Sequence, residues 1–176
     1  GSGGFYSFDT QYSTYTYTVD TAGLPGYITC PANGVNTSVI TALDSLDYSM
    51  NFGMRCKPGF DVGAWSVLDY VIFRPNAVVT VNFSAGDYTQ FFGANCAAGT
   101  SGTVTVTFSG PVTYYGNAGS LTPSSVTANT ITWNIADYGS IDVLHSFASQ
   151  FLVSVFAQDT QQVCFSVSVS PTAGDN

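Results

Sequence analysis

The chain has 176 residues, with eleven aspartates, no glutamate, two arginines and one lysine, for a net charge of −8. With no basic stripe to neutralise phosphates, the charge argues against nucleic acid and against anionic membrane surfaces as partners. No apolar run reaches the about 20 residues of a membrane-spanning helix, and the apolar content is too high for a disordered acidic tail.

Thr, Val, Ser, Tyr, Phe and Gly dominate, and Leu is scarce. β-branched and aromatic side chains fit a pleated, half-buried surface, so this is a strand-and-turn composition. Period-2 alternation recurs along the chain, and helical periodicity is nearly absent. STYTYTVD (13–20) alternates Tyr and Thr. SVITALDSLDYSM (38–50) has weak helical spacing, but its β-like flanks and missing apolar stripe make it strand plus turn. FDVGAWSVLDYVIF (60–73) opens a second strand series. AVVTVNFSAG (77–86), GTVTVTFSG (102–110), NTITWNIADYG (129–139), SQFLVSVFAQ (149–158) and VCFSVSVSP (163–171) follow as strands. IDVLHSFASQ (141–150) carries the same helix–strand ambiguity as 38–50. The connecting LPG, PANG, RPN, YGNAG and TPSS segments carry turn chemistry. Short strands at regular spacing predict an all-β, antiparallel β-sandwich.

Two of the three cations, Arg55 and Lys57, fall in NFGMRCKPGFD (51–61). Pro58-Gly59 cannot continue a central strand. RCKPG therefore reads as a joint between two β-modules, residues 1–56 and 57–176. The alternative is a long loop inside one larger sandwich. Lys57 and Arg55 are expected to neutralise local aspartates such as Asp61 or Asp47.

The cysteines are Cys30, Cys56, Cys96 and Cys164, with no CxxC pair, and His145 has no Cys or His neighbour. That argues against zinc. An even count in an acidic, Lys-poor chain suggests two disulfides and an oxidising compartment.

Catalytic chemistry needs a nucleophile, a base or a metal with matched partners. Ser140, Asp142 and His145 can be written as a Ser-His-Asp set, but they fall in no recognisable motif. The aspartates are scattered in turns, where local hydrogen bonding accounts for them. The expectation is a non-enzymatic protein with no cofactor. Calcium is the metal its loops suit, since hard oxygen ligands come from Asp, Asn and carbonyls. The candidates are Asp44 with Asp47, Asp87 near Asn95, and Asp137 with Asp142. Of the two tryptophans, Trp133 shares parity with Ile131 and Ile135 and is expected in the core. Trp65 is the better candidate for an exposed ligand contact. Tyr15 and Tyr17 on one strand face, and Tyr114-Tyr115, are the other candidate contacts, for a sugar ring or a protein neighbour.

FYSFDT, then TYTYTVDTAGLPGYITCP, then DYSMNFGM resembles the second half of a collagen-adhesin B-type repeat, which has a prealbumin-like sandwich fold. GTVTVTFSGPVTYYG, SSVTANTITWNIADYG and the closing CFSVSVSPTAGD resemble the immunoglobulin-like repeats of secreted, multidomain Bacteroidota proteins. The resemblance implies a partial B-type module over 1–56, lacking its first strands, and an immunoglobulin-like sandwich over 57–176. It implies an extracellular protein, secreted or attached to the cell surface, in which such repeat domains form stalks, adhesins or filaments. The partners implied are neighbouring β-modules, other copies of the protein, or surface glycans. The competing expectation is a carbohydrate-binding module.

Three expectations follow from that frame. The bridges that stay within one module are Cys30–Cys56 and Cys96–Cys164. The triplets Asp20-Thr21-Ala22 and Asp44-Ser45-Leu46 resemble the O-glycan motif of Bacteroidota surface proteins, which would make this a glycoprotein with glycans on Thr21 and Ser45. The isopeptide bond of some B-type repeats is not expected, because Lys57 lies at the joint and no Glu assists.

Overall fold

The structure is a computed structural model. It describes residues 10–23, 26–44, 46–57, 62–66 and 71–172. Twelve strands run through these residues in antiparallel sheets, and the only helices described are two short 3₁₀ turns.

Residues 62–172 form a two-layer sandwich. One sheet contains β5 (Val62–Ser66), β6 (Val78–Asp87), β11 (Phe147–Val153) and β8 (Val112–Asn117), in that order. The other contains β12 (Cys164–Pro171), β7 (Gly102–Ser109), β10 (Thr130–Ile135) and β9 (Ser125–Val126). Alternation decides which side chains face inward. On β7, Val104, Val106 and Phe108 point in, while Thr105 and Thr107 point out. On β10, Ile131, Trp133 and Ile135 point in, as parity predicts.

Rings from both sheets close the core. Phe151 on β11 meets Phe108 on β7 at 5.1 Å and Phe165 on β12 at 4.9 Å, both edge-on. Trp133 meets Phe147 edge-on at 5.3 Å, and its indole N–H donates to the Leu121 carbonyl at 3.1 Å. Burying each such ring stabilises the fold by roughly 1.5–3 kcal/mol. Gly102 is required where β7 meets the end of β12, since a Cβ there would lie 2.5 Å from the Ser170 carbonyl.

One buried group lacks compensation among the described residues. Ser149 Oγ on β11 is fully buried and has no hydrogen-bond partner. An unsatisfied buried hydroxyl costs free energy. Ser149→Ala is therefore expected to raise the unfolding free energy by about 1 kcal/mol, read as a higher urea midpoint at unchanged slope.

The N-terminal strands are organised differently. β1 (Ser13–Thr18) pairs only with β3 (Val35–Ile40), and β2 (Gly26–Cys30) only with β4 (Gly53–Cys56). These two ribbons supply no residue to the hydrophobic core of the sandwich. Tyr12, Val39, Leu43, Leu46, Tyr48 and Met54 are exposed there. Strand plus turn holds for 38–50, because β3 ends at Ile40 and no strand or helix follows before Gly53 among the described residues. Over 141–158 the strand begins only at Phe147 and ends at Val153, with turns on both sides.

The expected bridges are corrected. The disulfide joins Cys56 to Cys96, with Cα atoms 5.5 Å apart, and Cys30 and Cys164 are unpaired and exposed. Cys30–Cys56 and Cys96–Cys164 kept each bridge within one module. The observed bridge instead crosses the boundary drawn at 56/57. The cause is the path of the chain after β6, which brings residue 96 back beside the end of β4.

Candidate functional site

The distinctive surface is an aromatic corner at the β5–β6 end of the sandwich. β5 pairs with β6 so that Trp65 lies opposite Ser84 and Val62 opposite Asp87. The chain then turns through a 3₁₀ segment, Tyr88–Phe92, which stops at Gly93 in the left-handed region, φ 71°. That turn brings Tyr88 and Phe91 against Trp65, with centroids 5.8 and 5.3 Å away, and 5.8 Å from each other. Trp65 is half-buried, and Tyr88 and Phe91 are exposed.

A polar lattice holds the corner. Asp87 is completely buried. Its Oδ1 accepts from Thr89 N at 2.9 Å and Thr89 Oγ1 at 2.6 Å, and its Oδ2 accepts from Ala97 N at 2.8 Å. Thr89 Oγ1 in turn accepts from Cys96 N at 2.9 Å. Asp137 Oδ1 accepts from Gly99 N and Gly139 N, each at 2.8 Å, and Asn95 Nδ2 donates to the Gly139 carbonyl at 3.0 Å. The Cys56–Cys96 bridge ties the same segment to the end of β4. Removing the Asp87 carboxylate strands two buried backbone donors, at about 1–3 kcal/mol each. Asp87→Ala is expected to cost about 2–3 kcal/mol, the low end of that sum because a loosened segment lets water reach the stranded donors, and to loosen 88–97, read as faster amide exchange confined to that segment.

The five aspartates considered for calcium sit in local turns and caps. Asp44 accepts, through its backbone carbonyl, from Thr41 N. The Asp47 carboxylate accepts from the Ser38 and Ser49 hydroxyls and from Ser49 N. The Ser38 hydroxyl first, then the two Ser49 donors, hold its carboxyl below the ordinary range. What that contact contributes is present above the ordinary carboxylate pKa and is lost as pH falls through the lowered one. Leu144 N and then the His145 side chain lower Asp142 similarly. Asp87 and Asp137 are the caps described above. Among the described residues, no three His, Cys, Asp or Glu side chains come together to hold a metal ion.

The Ser140, Asp142, His145 set does not assemble as a triad. His145 Nδ1 and Asp142 Oδ2 lie 2.8 Å apart, but Ser140 Oγ donates to the Asp137 carbonyl at 2.9 Å. The Asp–His pair is 57% and 77% exposed, so it contributes at most about 1 kcal/mol. Lys57 Nζ donates to the Thr21 carbonyl at 3.3 Å, a partner other than the expected aspartates. Thr21 is half-buried in a turn closed by Asp20 Oδ1 accepting from Ala22 N. Ser45 and Asp61 lie outside the described residues.

The aromatic candidates separate. Tyr15 and Tyr17 share one face of β1, 6.3 Å apart and both half-buried. On β8, Tyr114 turns inward against Phe151 at 6.4 Å, which pushes its hydroxyl pKa up through burial, while Tyr115 points out. Tyr114 is thus half-buried and packs in part against the core. Trp65 is joined by Tyr88 and Phe91, which sequence reasoning missed. The available signal was DYTQFFG (87–93), an aspartate cap and a stop glycine enclosing three rings.

No protein-family model, no curated protein and no solved structure matches the chain. No helix among the described residues is long and apolar enough to cross a membrane.

Proposed function

We propose that the protein is a non-enzymatic structural and adhesive module of a large secreted or cell-surface protein, assembling by strand addition. The observation that carries this reading is the pair of N-terminal ribbons. Four strands in two separate pairs supply nothing to the hydrophobic core of the sandwich, and two-stranded sheets are marginal by themselves in water. Each ribbon presents strand edges that no described strand covers. An uncovered edge is a template for another chain. The resemblance of the two halves to adhesin-type and immunoglobulin-like repeats supports the same reading, and a disulfide is compatible with an oxidising, extracellular location.

Thr16 is exposed on β1, and Thr16→Lys would place a gatekeeper charge on that edge. The expected result in sedimentation velocity is loss of the parent's assemblies with the sandwich still folded. A parent that stays monomeric at every concentration would overturn the proposal, and so would a Thr16→Lys protein that assembles as the parent does.

A second reading, a carbohydrate-binding module, rests on the exposure of the aromatic corner. Trp65, Tyr88 and Phe91 present partly exposed rings on one side of the sandwich. Their planes meet at 89°, 56° and 62°, so they form a corner and not the flat platform on which a pyranose stacks. Affinity electrophoresis in soluble polysaccharides tests this. Retardation that Phe91→Ala abolishes would establish sugar binding, and equal mobility in every gel would exclude it for those glycans.

A further inference from the structure

We infer that the receiving edge for strand addition is β12, and that its occupant is β1 of a second copy of this chain. This rests on the strand-addition reading and makes it specific.

β12 is the outermost strand of its sheet and, at eight residues, longer than the other open edges, β5, β8 and β9. Its inward side chains are incompletely covered. Phe165, Val167 and Val169 remain half-buried, whereas Val104, Val106 and Ile131, one and two strands further in, are 0% exposed. Among the described residues the sandwich is thus closed at its centre, and although Phe73 stacks on Phe165 at 6.2 Å, no strand continues the sheet beyond β12. No proline interrupts β12 before Pro171, and it carries no Asp, Lys or Arg to blunt pairing.

Two properties of β1 match this edge. The first is its pattern. An added strand must continue both faces of the sheet it joins. The inner face along β12 is apolar. The outer face is an uncharged hydroxyl surface, in which Ser166, Thr107 and Thr130 form one rank and Ser168, Thr105 and Thr132 the next. β1 reads STYTYT, with Tyr15 and Tyr17 on one side and Thr14, Thr16 and Thr18 on the other. Docked on β12, it lays tyrosines over the open core edge and extends the hydroxyl ranks by another column.

The second property is charge. Two copies each carrying −8 repel one another, so the contact is best made by strands that bear no acidic side chain of their own, with the remaining repulsion screened beyond roughly 8–10 Å. Neither strand contains an acidic residue. β3, the other strand of the β1 ribbon, has the Asp47 carboxylate hydrogen-bonded to Ser38 at its centre and is the poorer donor. The product is one continuous sheet, β3-β1 of one copy followed by β12-β7-β10-β9 of the next, repeating head to tail. Such a heterologous contact builds a filament unless its rotation closes the copies into a ring.

Sedimentation velocity over a concentration series, with amide exchange read by mass spectrometry at its two ends, tests the assignment on the intact chain. Exchange is expected to slow about tenfold or more in 13–18 and 164–171 together as assemblies form. Ser168→Lys, an exposed change on β12, should weaken assembly as Thr16→Lys does, with exchange in 102–109 unchanged to show that the sandwich is intact. Assemblies protected along 62–66 or 112–117 instead, or a Ser168→Lys protein that assembles normally, would overturn the β12 assignment while leaving strand addition standing. A strictly monomeric parent would overturn both.

Discussion

Phe151→Ala is expected to lower the unfolding free energy by about 3–5 kcal/mol, the largest effect of any single substitution considered for this fold. Phe151 is fully buried on β11 and packs against four rings: Phe83, Phe108, Tyr114 and Phe165. Two of those belong to the opposite sheet, so the ring is a contact on which the two layers close. Truncation loses its transfer free energy and leaves a cavity bounded by stiff aromatic neighbours and paired strands, which relax poorly. Phe151→Leu keeps most of the volume and should lose clearly less. Trp133 is buried in the same core and reports the transition by fluorescence. The urea midpoint should fall at constant slope. A Phe151→Ala loss under about 1 kcal/mol would mean that the two sheets do not close on this ring. A domain of this size has about 5–15 kcal/mol in all, so the variant should sit near its unfolding threshold at room temperature.

Replacing Cys56 and Cys96 together by serine is expected to cost about 3–4 kcal/mol, with Cys30 and Cys164 alkylated in both proteins to prevent exchange. The bridge spans 40 residues, and the loop it closes contains β5 and β6, two strands of the sandwich. In the chain-entropy account a loop of this length constrains the unfolded ensemble by about 4 kcal/mol. The bridge also joins the ribbons to the sandwich. Amide exchange should therefore accelerate across 26–56 in the double variant, and less in β7 and β10. Non-reducing peptide mapping supplies the direct check, since a Cys56–Cys96 peptide must appear and a Cys30–Cys56 peptide must not. If the double variant were as stable as the parent, the bridge would be absent or would close a loop already ordered in the unfolded chain.

The difference between what was legible in the chain and what was not follows the range of each interaction. Alternation is local. It placed Trp133 with Ile131 and Ile135 in the core, set the valines of GTVTVTFSG inward, and located strands near β1, β6, β7, β10 and β12, because neighbouring side chains on a strand point to opposite faces. The β-like flanks and missing apolar stripe of 38–50 are local too and made it strand plus turn, whereas 141–150 stayed ambiguous until the structure showed β11 beginning at Phe147. The cysteine count suggested disulfides, yet which thiols meet depends on two Cα atoms coming within 5.5 Å across forty residues, and spacing carries no such information. The aromatic corner has the same origin. Trp65 faces Tyr88 and Phe91 only because β5 pairs with β6 in one register and Asp87 then caps a tight turn. Tyr114 and Tyr115 show the limit within a single dipeptide: alternation separates them, but only the seating of β8 beside β11 decided that Tyr114 turns toward Phe151 and Tyr115 toward solvent. The sequence alone thus determined the class of fold and the inward face of its central strands. Tertiary structure decided the bridge, the corner and which edge was left open, because each of these depends on the meeting of segments far apart in the chain.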